Sequence, residues 1–336
     1  MRYTTLGQTG IQVSKVGFGC MGMSHAYGAA ADKQEMITLL HQAVELGCNF
    51  FDTAEIYGTP DEPHHNEELV GAAFAGLRDK VVLASKCGIS FDTTSGKVPY
   101  PLLVDASPDR LRRSLEGSLK RLKTDHLDLY YLHRLDPKIP VEETAELMAS
   151  FIKEGKILSW GLSEVGADII ERAAAVCPPA AVQNRYSMMA RHWESIFPTI
   201  KKLGVTLVAF SPLANGLLSN AYSEGSSFSE PGDYRAAMPQ FDKDSYAKNA
   251  ELIEMVSTLA AAKGVSAAAI SLAWMMNKDV SIVPIPGTRR LSRLKENLQA
   301  AEVTFTKEEL QAIDAKLAAM PMSAVYGGVV TRSARD

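Results

Sequence analysis

A closed (β/α)8 barrel is the fold this 336-residue sequence predicts, as a single domain spanning 1–336. Three observations carry it. Eight short apolar or β-branched runs recur along the chain, and longer segments of helical periodicity alternate with them. The runs read as buried on both faces, the mark of a parallel sheet. At this length, eight strand–helix units favour a closed barrel over an open doubly wound sheet.

The elements follow in order. "RYTTLGQTGIQVS" predicts a hairpin with Gly7 and Gly10 in its turn, placed to plug the N-terminal end of the barrel. The strand runs are 14–20, 49–53, 81–86, 127–133, 157–163, 180–184, 206–211 and 281–286. In "DKQEMITLLHQAVELG", Met36, Leu39, Leu40, Ala43 and Val44 form one apolar stripe, with Asp32 as cap and Gly47 as terminator. "SPDRLRRSLEGSLKRL" sets Ser107 before Pro108 and lines up Leu111, Leu115, Leu119 and Leu122. "ETAELMASFIKEGK" and "SAAAISLAWMMNK" follow the same pattern. The stretch 214–246, rich in Gly, Ser and Pro, reads as a long loop after strand seven and as a lid.

Composition excludes several classes. A net charge of -4 gives no reason to expect nucleic acid or an acidic membrane surface as partner. No apolar run approaches the roughly 20 residues that span a bilayer, and "MRYTTLGQTG" has no signal-peptide core. Cys20, Cys48, Cys87 and Cys177 are scattered without a CxxC pair, which fits reduced thiols in a cytoplasm. Cys87, beside Lys86, reads as a buried filler or as a reactive thiol. His64 and His65 are adjacent and lack HExxH spacing, so no metal is expected.

Catalytic groups of such barrels project from the C-terminal ends of several strands. Those ends carry Asp52 and Tyr57 after strand two, Lys86 closing strand three and His133 closing strand four. A lone histidine is more often a hydrogen-bonded core residue, and a lone aspartate after a strand more often a cap. Convergence of four such groups on one mouth overturns those readings. Asp52 would hold the Lys86 ammonium against the Tyr57 hydroxyl. At about 4 Å and an effective dielectric near 20, that charge favours the ionised phenol by ~4 kcal/mol. Burial opposes it, and the expectation is a smaller net fall of the phenol pKa from about 10. Such a phenol can protonate a carbonyl oxygen, and a neutral His133 can orient that oxygen. A hydride must come from a cofactor.

In "FFDTAEIYG", "VVLASK", "LDLYYLHR", "GKILSWGLS", "AFSPLANGLL" and "IPGTRRLSRLKEN", taken in that order, the chain resembles the aldo-keto reductases up to about residue 315. "EGKILSWGLSE" and "GFGCMGM" look closest to a branch with pyridoxal-reductase-like members. The resemblance implies a (β/α)8 barrel that reduces carbonyls with NADPH and the tetrad Asp52, Tyr57, Lys86 and His133. It implies Ser163 and Gln183 on the nicotinamide carboxamide, and Phe210 against the ring where most relatives have Tyr. Ser211, Pro212, Leu213, Gly216 and Leu217 would run beneath the pyrophosphate, with Gly19 and Met21 at the nicotinamide ribose. Glu164 stands where much of the family has Asn, and a carboxylate cannot donate to the carboxamide as an amide does. Gly287, Thr288, Arg289 and Arg293 lie where barrel enzymes hold phosphate, and the resemblance puts the 2′-phosphate there with Asn297 near the adenine. The dinucleotide fingerprint GxGxxG of open sheets is absent.

Two other readings stand beside this one. A Schiff-base aldolase using Lys86 would need a lowered lysine pKa, and Asp52 acts against that. A cofactor-sensing regulatory subunit is the second, since the family contains potassium-channel β subunits. For the substrate, Met23, Tyr27, Phe91 and Trp193 are candidates for an apolar wall that would fit a hydrophobic aldehyde, a small-molecule carbonyl. The sequence leaves monomer and homo-oligomer open.

Overall fold

Alternation along each strand sorts the apolar side chains into two cores. The computed structural model describes residues 1–96, 100–326 and 331–334. Its barrel strands are β1 Phe18–Gly19, β2 Phe50–Asp52, β3 Val82–Cys87, β4 Leu129–Leu132, β5 Trp160–Ser163, β6 Ala181–Arg185, β7 Thr206–Phe210 and β8 Ile282–Pro284. Neighbours pair in parallel in that order. The ring closes where Gly17 and Gly19 donate their N–H groups to Pro284 O and Pro286 O, at 2.9 and 3.3 Å. The seam suits prolines, which have no N–H to give there. All eight expected strands are present, most of them shorter than the apolar runs.

Phe51, Leu83, Tyr130, Leu132, Leu162 and Leu207 point outward to the helices, into the larger core with Met36, Leu39, Leu111 and Leu115. Phe50, Val82, Ala84, Leu129, Tyr131, Val208 and Val283 point inward and fill the barrel. The hairpin Tyr3–Thr5 and Gln12–Ser14 pairs in antiparallel fashion and drives Leu6 and Val13, both fully buried, into this inner core. Gly7, at φ +54, lets the turn press on the barrel: a Cβ there would stand 2.4 Å from Ala180 O. Its N–H donates to Thr206 Oγ1 at 2.8 Å. The plug is therefore both apolar and hydrogen-bonded.

The helices keep their expected ends. The Asp32 carboxylate accepts from Glu35 N at 2.9 Å, and Gly47 follows the helix Lys33–Glu45 with φ +88. Pro108 opens the helix Pro108–Leu122, but the Ser107 side chain makes no cap hydrogen bond. Three further strands lie outside the barrel and outside the sequence expectations. Ile89–Phe91 and Leu102–Val104 pair in antiparallel fashion above β3, and the C-terminal Thr331–Ser333 joins Leu102–Val104 in parallel. Arg332 clamps Asp92 at 2.8 Å and fastens this small sheet. The segment after β7 is short helical turns, Ala214–Ser219, Tyr234–Ala237 and Pro239–Phe241, and a long helix begins at Lys243, earlier than expected. No single helix among the described residues is long and apolar enough to cross a membrane.

Candidate active site

Strand alternation also aims the polar groups. Phe50 points into the barrel, so Asp52, two residues on at the end of β2, does too. Val82 and Ala84 put Lys86 in the same phase on β3, and Leu129 and Tyr131 do so for His133 just beyond β4. Tyr57 reaches this point from the loop after β2. Gly58 follows it because the chain folds back tightly: a Cβ there would lie 1.9 Å from Glu62 O. Asn66 ties the loop down. Its N–H donates to Tyr57 O at 3.1 Å, and its side chain joins Thr53, Cys20 and Ser24.

The Lys86 ammonium is fully buried, and its three protons have three acceptors. They are Asp52 Oδ1, Thr53 O at 2.8 Å and Tyr57 Oη at 3.0 Å. The other Asp52 oxygen accepts from Gln183 Nε2 at 2.8 Å. The buried carboxylate thus has its partners, as it must to avoid a penalty of several kcal/mol. Its carboxylate raises the Lys86 pKa against the effect of burial, keeping the amine charged. Burial drives the Asp52 carboxyl up, and Lys86 and Gln183 oppose that. His133 packs edge-on to Tyr57 at 5.9 Å and has a buried Nδ1 without a hydrogen-bond partner. Burial, with help from Arg134 and Lys86, holds its pKa well below 6.5, so the imidazole is neutral.

Tyr57 departs from expectation. Its pKa lies above the usual phenol value, not below it. Burial dominates, and the Asp52 charge behind Lys86 offsets part of the ammonium's pull. The phenol therefore keeps its proton at neutral pH. Because Lys86 donates to Oη, the phenol's own hydrogen is free for another acceptor.

These groups stand at one end of a cavity of about 590 Å3. Asp52, Tyr57 and His133 line it, while Lys86 lies behind Tyr57. Gly19, Met21, Ser163, Gln183 and Phe210 line it next to them. Ser211, Pro212, Leu213 and Gly216 continue the wall, in backbone that runs left-handed at Ser211 and Gly216. Leu217 does not line it; its side chain turns into the outer core. Gly287, beside Gly19, and Thr288, Arg289, Arg293 and Asn297 also line it. Of the proposed substrate wall, Tyr27 and Phe91 face the cavity. Met23 and Trp193 do not: Met23 is buried in the outer core, and Trp193 packs against that core. The Glu164 carboxylate turns to the backbone and accepts from Arg185 N at 2.8 Å.

The segment after β7 contributes Tyr222, Tyr234, Arg235 and Met238 to the cavity wall. Tyr234 N donates to Ala26 O at 3.0 Å, and Asn215 donates to the Tyr27 hydroxyl at 2.9 Å. Arg235, gripped by Asp233, lies over the rings of Tyr27, Tyr222 and Phe228. Among the described residues, no cluster of His, Cys, Asp and Glu could hold a metal.

Gly19 and Gly287 let two backbones pack closely at the barrel seam: a Cβ on Gly19 would meet Ile285 O at 2.6 Å, and one on Gly287 would meet Gly19 O at 2.7 Å. One feature fits an anionic cofactor. Arg289 donates through Nε to Gly22 O at 2.6 Å, yet its Nη2 is buried without a partner, beside the charge of Arg235. A buried guanidinium nitrogen without a partner suits an anion, although Asp233 offsets the charge of Arg235 beside it. Arg293 is held by Glu296 at 2.7 Å through one nitrogen.

Sequence reasoning did not single out Arg134 and Arg185, which also line the cavity. The signal was present. Arg185 is in phase with Gln183 on β6, and Arg134 follows His133 within the motif "LDLYYLHR".

The aldo/keto reductase family model matches residues 15–318. A thermostable aldo-keto reductase, Tm1743, solved in complex with the inhibitor epalrestat, is 30% identical, with 94% of this chain and 99% of that one covered and a TM-score of 0.72. The glycerol dehydrogenase AKR11B4 from Gluconobacter oxydans is 25% identical over 98% of both chains, with a TM-score of 0.84. The holo form of the aldo-keto reductase AKR11C1 from Bacillus halodurans is 28% identical over 97% of this chain and 98% of its own, with a TM-score of 0.74. The chain belongs to the aldo/keto reductase family.

Proposed function

We propose that this chain reduces aldehydes and ketones to alcohols with NADPH, and that Tyr57 delivers the proton. The observation that carries the reading is the contact of Lys86 Nζ with both Asp52 and Tyr57 Oη, the latter at 3.0 Å. It supports a phenol that receives a hydrogen bond from a charged amine while its own hydrogen faces the cavity. As negative charge grows on a carbonyl oxygen, that hydrogen moves to it and the ammonium stabilises the phenolate left behind. Neutral His133 would orient the same oxygen. A nicotinamide bound in this cavity supplies the hydride for the carbonyl carbon.

Ser163 and Gln183, beside Asp52, would hold the carboxamide, and Phe210 would offer its ring face to the nicotinamide. Ser211, Pro212, Leu213 and Gly216 would follow the pyrophosphate, and Gly19 and Met21 the ribose. Arg289, Arg293 and Thr288 are the candidates for a 2′-phosphate, with Asn297 for the adenine, which is the argument for NADPH over NADH. The four cysteines are free thiols, in keeping with a reducing, cytoplasmic setting. The aldolase reading is disfavoured, because Lys86 has its pKa raised and all three protons engaged.

Tyr57→Phe tests the proposal. Carbonyl-dependent NADPH oxidation should fall by roughly 10²–10⁴-fold or more, while NADPH titration by fluorescence gives a near wild-type Kd. Near-normal turnover would refute the donor assignment. Replacing Arg289 and Arg293 by Ala should weaken NADPH more than NADH, and equal losses would remove the 2′-phosphate from this site.

A further inference from the structure

Two charges at the catalytic end of the cavity have no place in the proton relay. Arg185 on β6 is only 8% exposed, and its guanidinium lies 5.3 Å over the Phe210 ring. Among the described residues that guanidinium has no hydrogen bond or salt bridge of its own; the Glu164 carboxylate nearby is taken by the Arg185 backbone N–H. Arg134 uses one nitrogen, Nη1, on His133 O at 2.6 Å and Ser163 Oγ at 3.0 Å. Its Nε and Nη2 hydrogens have no partner among the described residues. Both arginines line the cavity.

The charges around them do not balance. Burial lowers the pKa of both guanidinium groups, the single Glu164 carboxylate opposes that on each, and Arg185 adds a smaller lowering at Arg134. Asp52, the acid that lines the cavity, is committed to Lys86 and Gln183. Arg134, which bonds His133 O, is close enough for its charge to act on both Tyr57 and His133. Arg134 and Arg185 also differ from Arg289 and Arg293, whose hydrogen bonds go to Gly22 O and Glu296. Guanidinium forks with donors left open to a cavity are suited to a planar or tetrahedral oxyanion. The apolar wall expected from the sequence is therefore only half the pocket. Tyr27, Phe91 and Tyr100 contribute to it, and the arginines line the same cavity.

We infer that the preferred substrates are carbonyl compounds carrying an anionic oxygen group, a carboxylate or a phosphate, close to the carbonyl, and that Arg185 and Arg134 hold that group. The inference rests on the carbonyl-reductase reading above. It is tested with the full chain, NADPH and matched substrate pairs: succinic semialdehyde against butanal, and glyceraldehyde 3-phosphate against glyceraldehyde. In at least one pair, kcat/KM should favour the anionic member by roughly tenfold or more, mostly through KM. The pair that shows it tells carboxylate from phosphate. Arg185→Gln should bring the ratio close to one, and Arg185→Lys should restore part of it. Equal kcat/KM within both pairs, or a ratio that survives Arg185→Gln, overturns the anion clamp while leaving the reductase reading intact. No NADPH oxidation with any of the four would overturn both.

Discussion

The two ends of this barrel are built from the same alternating strands and filled with opposite chemistry. At the N-terminal end the inward positions are Phe50, Val82, Leu129 and Val283, sealed by Leu6 and Val13 of the hairpin. Two or four residues further along β2, β3 and β4 the inward positions become Asp52, Lys86 and His133, and on β6 Gln183 and Arg185 follow the buried Ala181. Backbone conformation changes with them. Ala26, Glu164, Ser211, Ala214 and Asn215 all adopt left-handed φ, and all belong to loops at the C-terminal end. Such residues cost on the order of 1 kcal/mol each. Lys123, the C-cap of the helix Pro108–Leu122, is left-handed too, so the contrast between the ends is one of buried charge more than of backbone strain.

The largest expected effect comes from breaking the polar end. Lys86→Met replaces the ammonium with an apolar chain of similar length and leaves Asp52 buried with Gln183 as its remaining side-chain partner. Loss of a buried ion partner costs about 3–5 kcal/mol, so urea denaturation should show a drop of that size together with loss of carbonyl reduction. Adding Asp52→Asn should return most of the stability and none of the activity. If the double variant is as unstable as the single one, the ion pair is a structural element and the contrast between the two ends fails.

Next in size is the reverse experiment at the plugged end. Leu6 is fully buried in the inner core, and Leu6→Ala should cost about 2–5 kcal/mol. Below its lowered Tm, the variant should keep kcat/KM within a factor of two or so. A large fall in kcat/KM at full folding would mean that the hairpin helps to position the mouth.

The division between the ends also explains what could be read in advance. Eight apolar runs with helices between them sufficed for the barrel, because period-two burial and helical stripes are local signals. That Asp52, Lys86 and His133 come together was legible for the same reason: they continue the inward phase of their strands. The small sheet was not. Thr331–Ser333 pairs with Leu102–Val104 from the far end of the chain, and three-residue strands carry too little pattern to declare a partner. Met23 and Trp193 were misplaced because a large apolar side chain near a strand end serves a core as readily as a pocket. The Tyr57 pKa went the other way because burial, which sequence cannot measure, outweighed the lysine.

The smallest effect separates burial from charge at His133. Burial is the first cause of its lowered pKa, and an unfolded imidazole titrates near 6.5. Above that pH both states are neutral, and the histidine's contribution to stability is fully present. As the pH falls below it, the unfolded chain binds a proton that the folded site refuses. Stability then declines by up to ~1.4 kcal/mol per pH unit, until the folded pKa is reached. His25 is lowered in the same direction, also by burial, so the useful quantity is a difference between variants. The stability of wild type relative to His133→Gln should decrease by about 1–2 kcal/mol between pH 7 and pH 5. Over the same range, kcat/KM of the wild type for carbonyl reduction should show no acid limb near 6.5, because the imidazole that faces the oxygen is already neutral. A limb there would mean that the charged imidazole forms at the mouth, and that the C-terminal end is wetter than its burial implies.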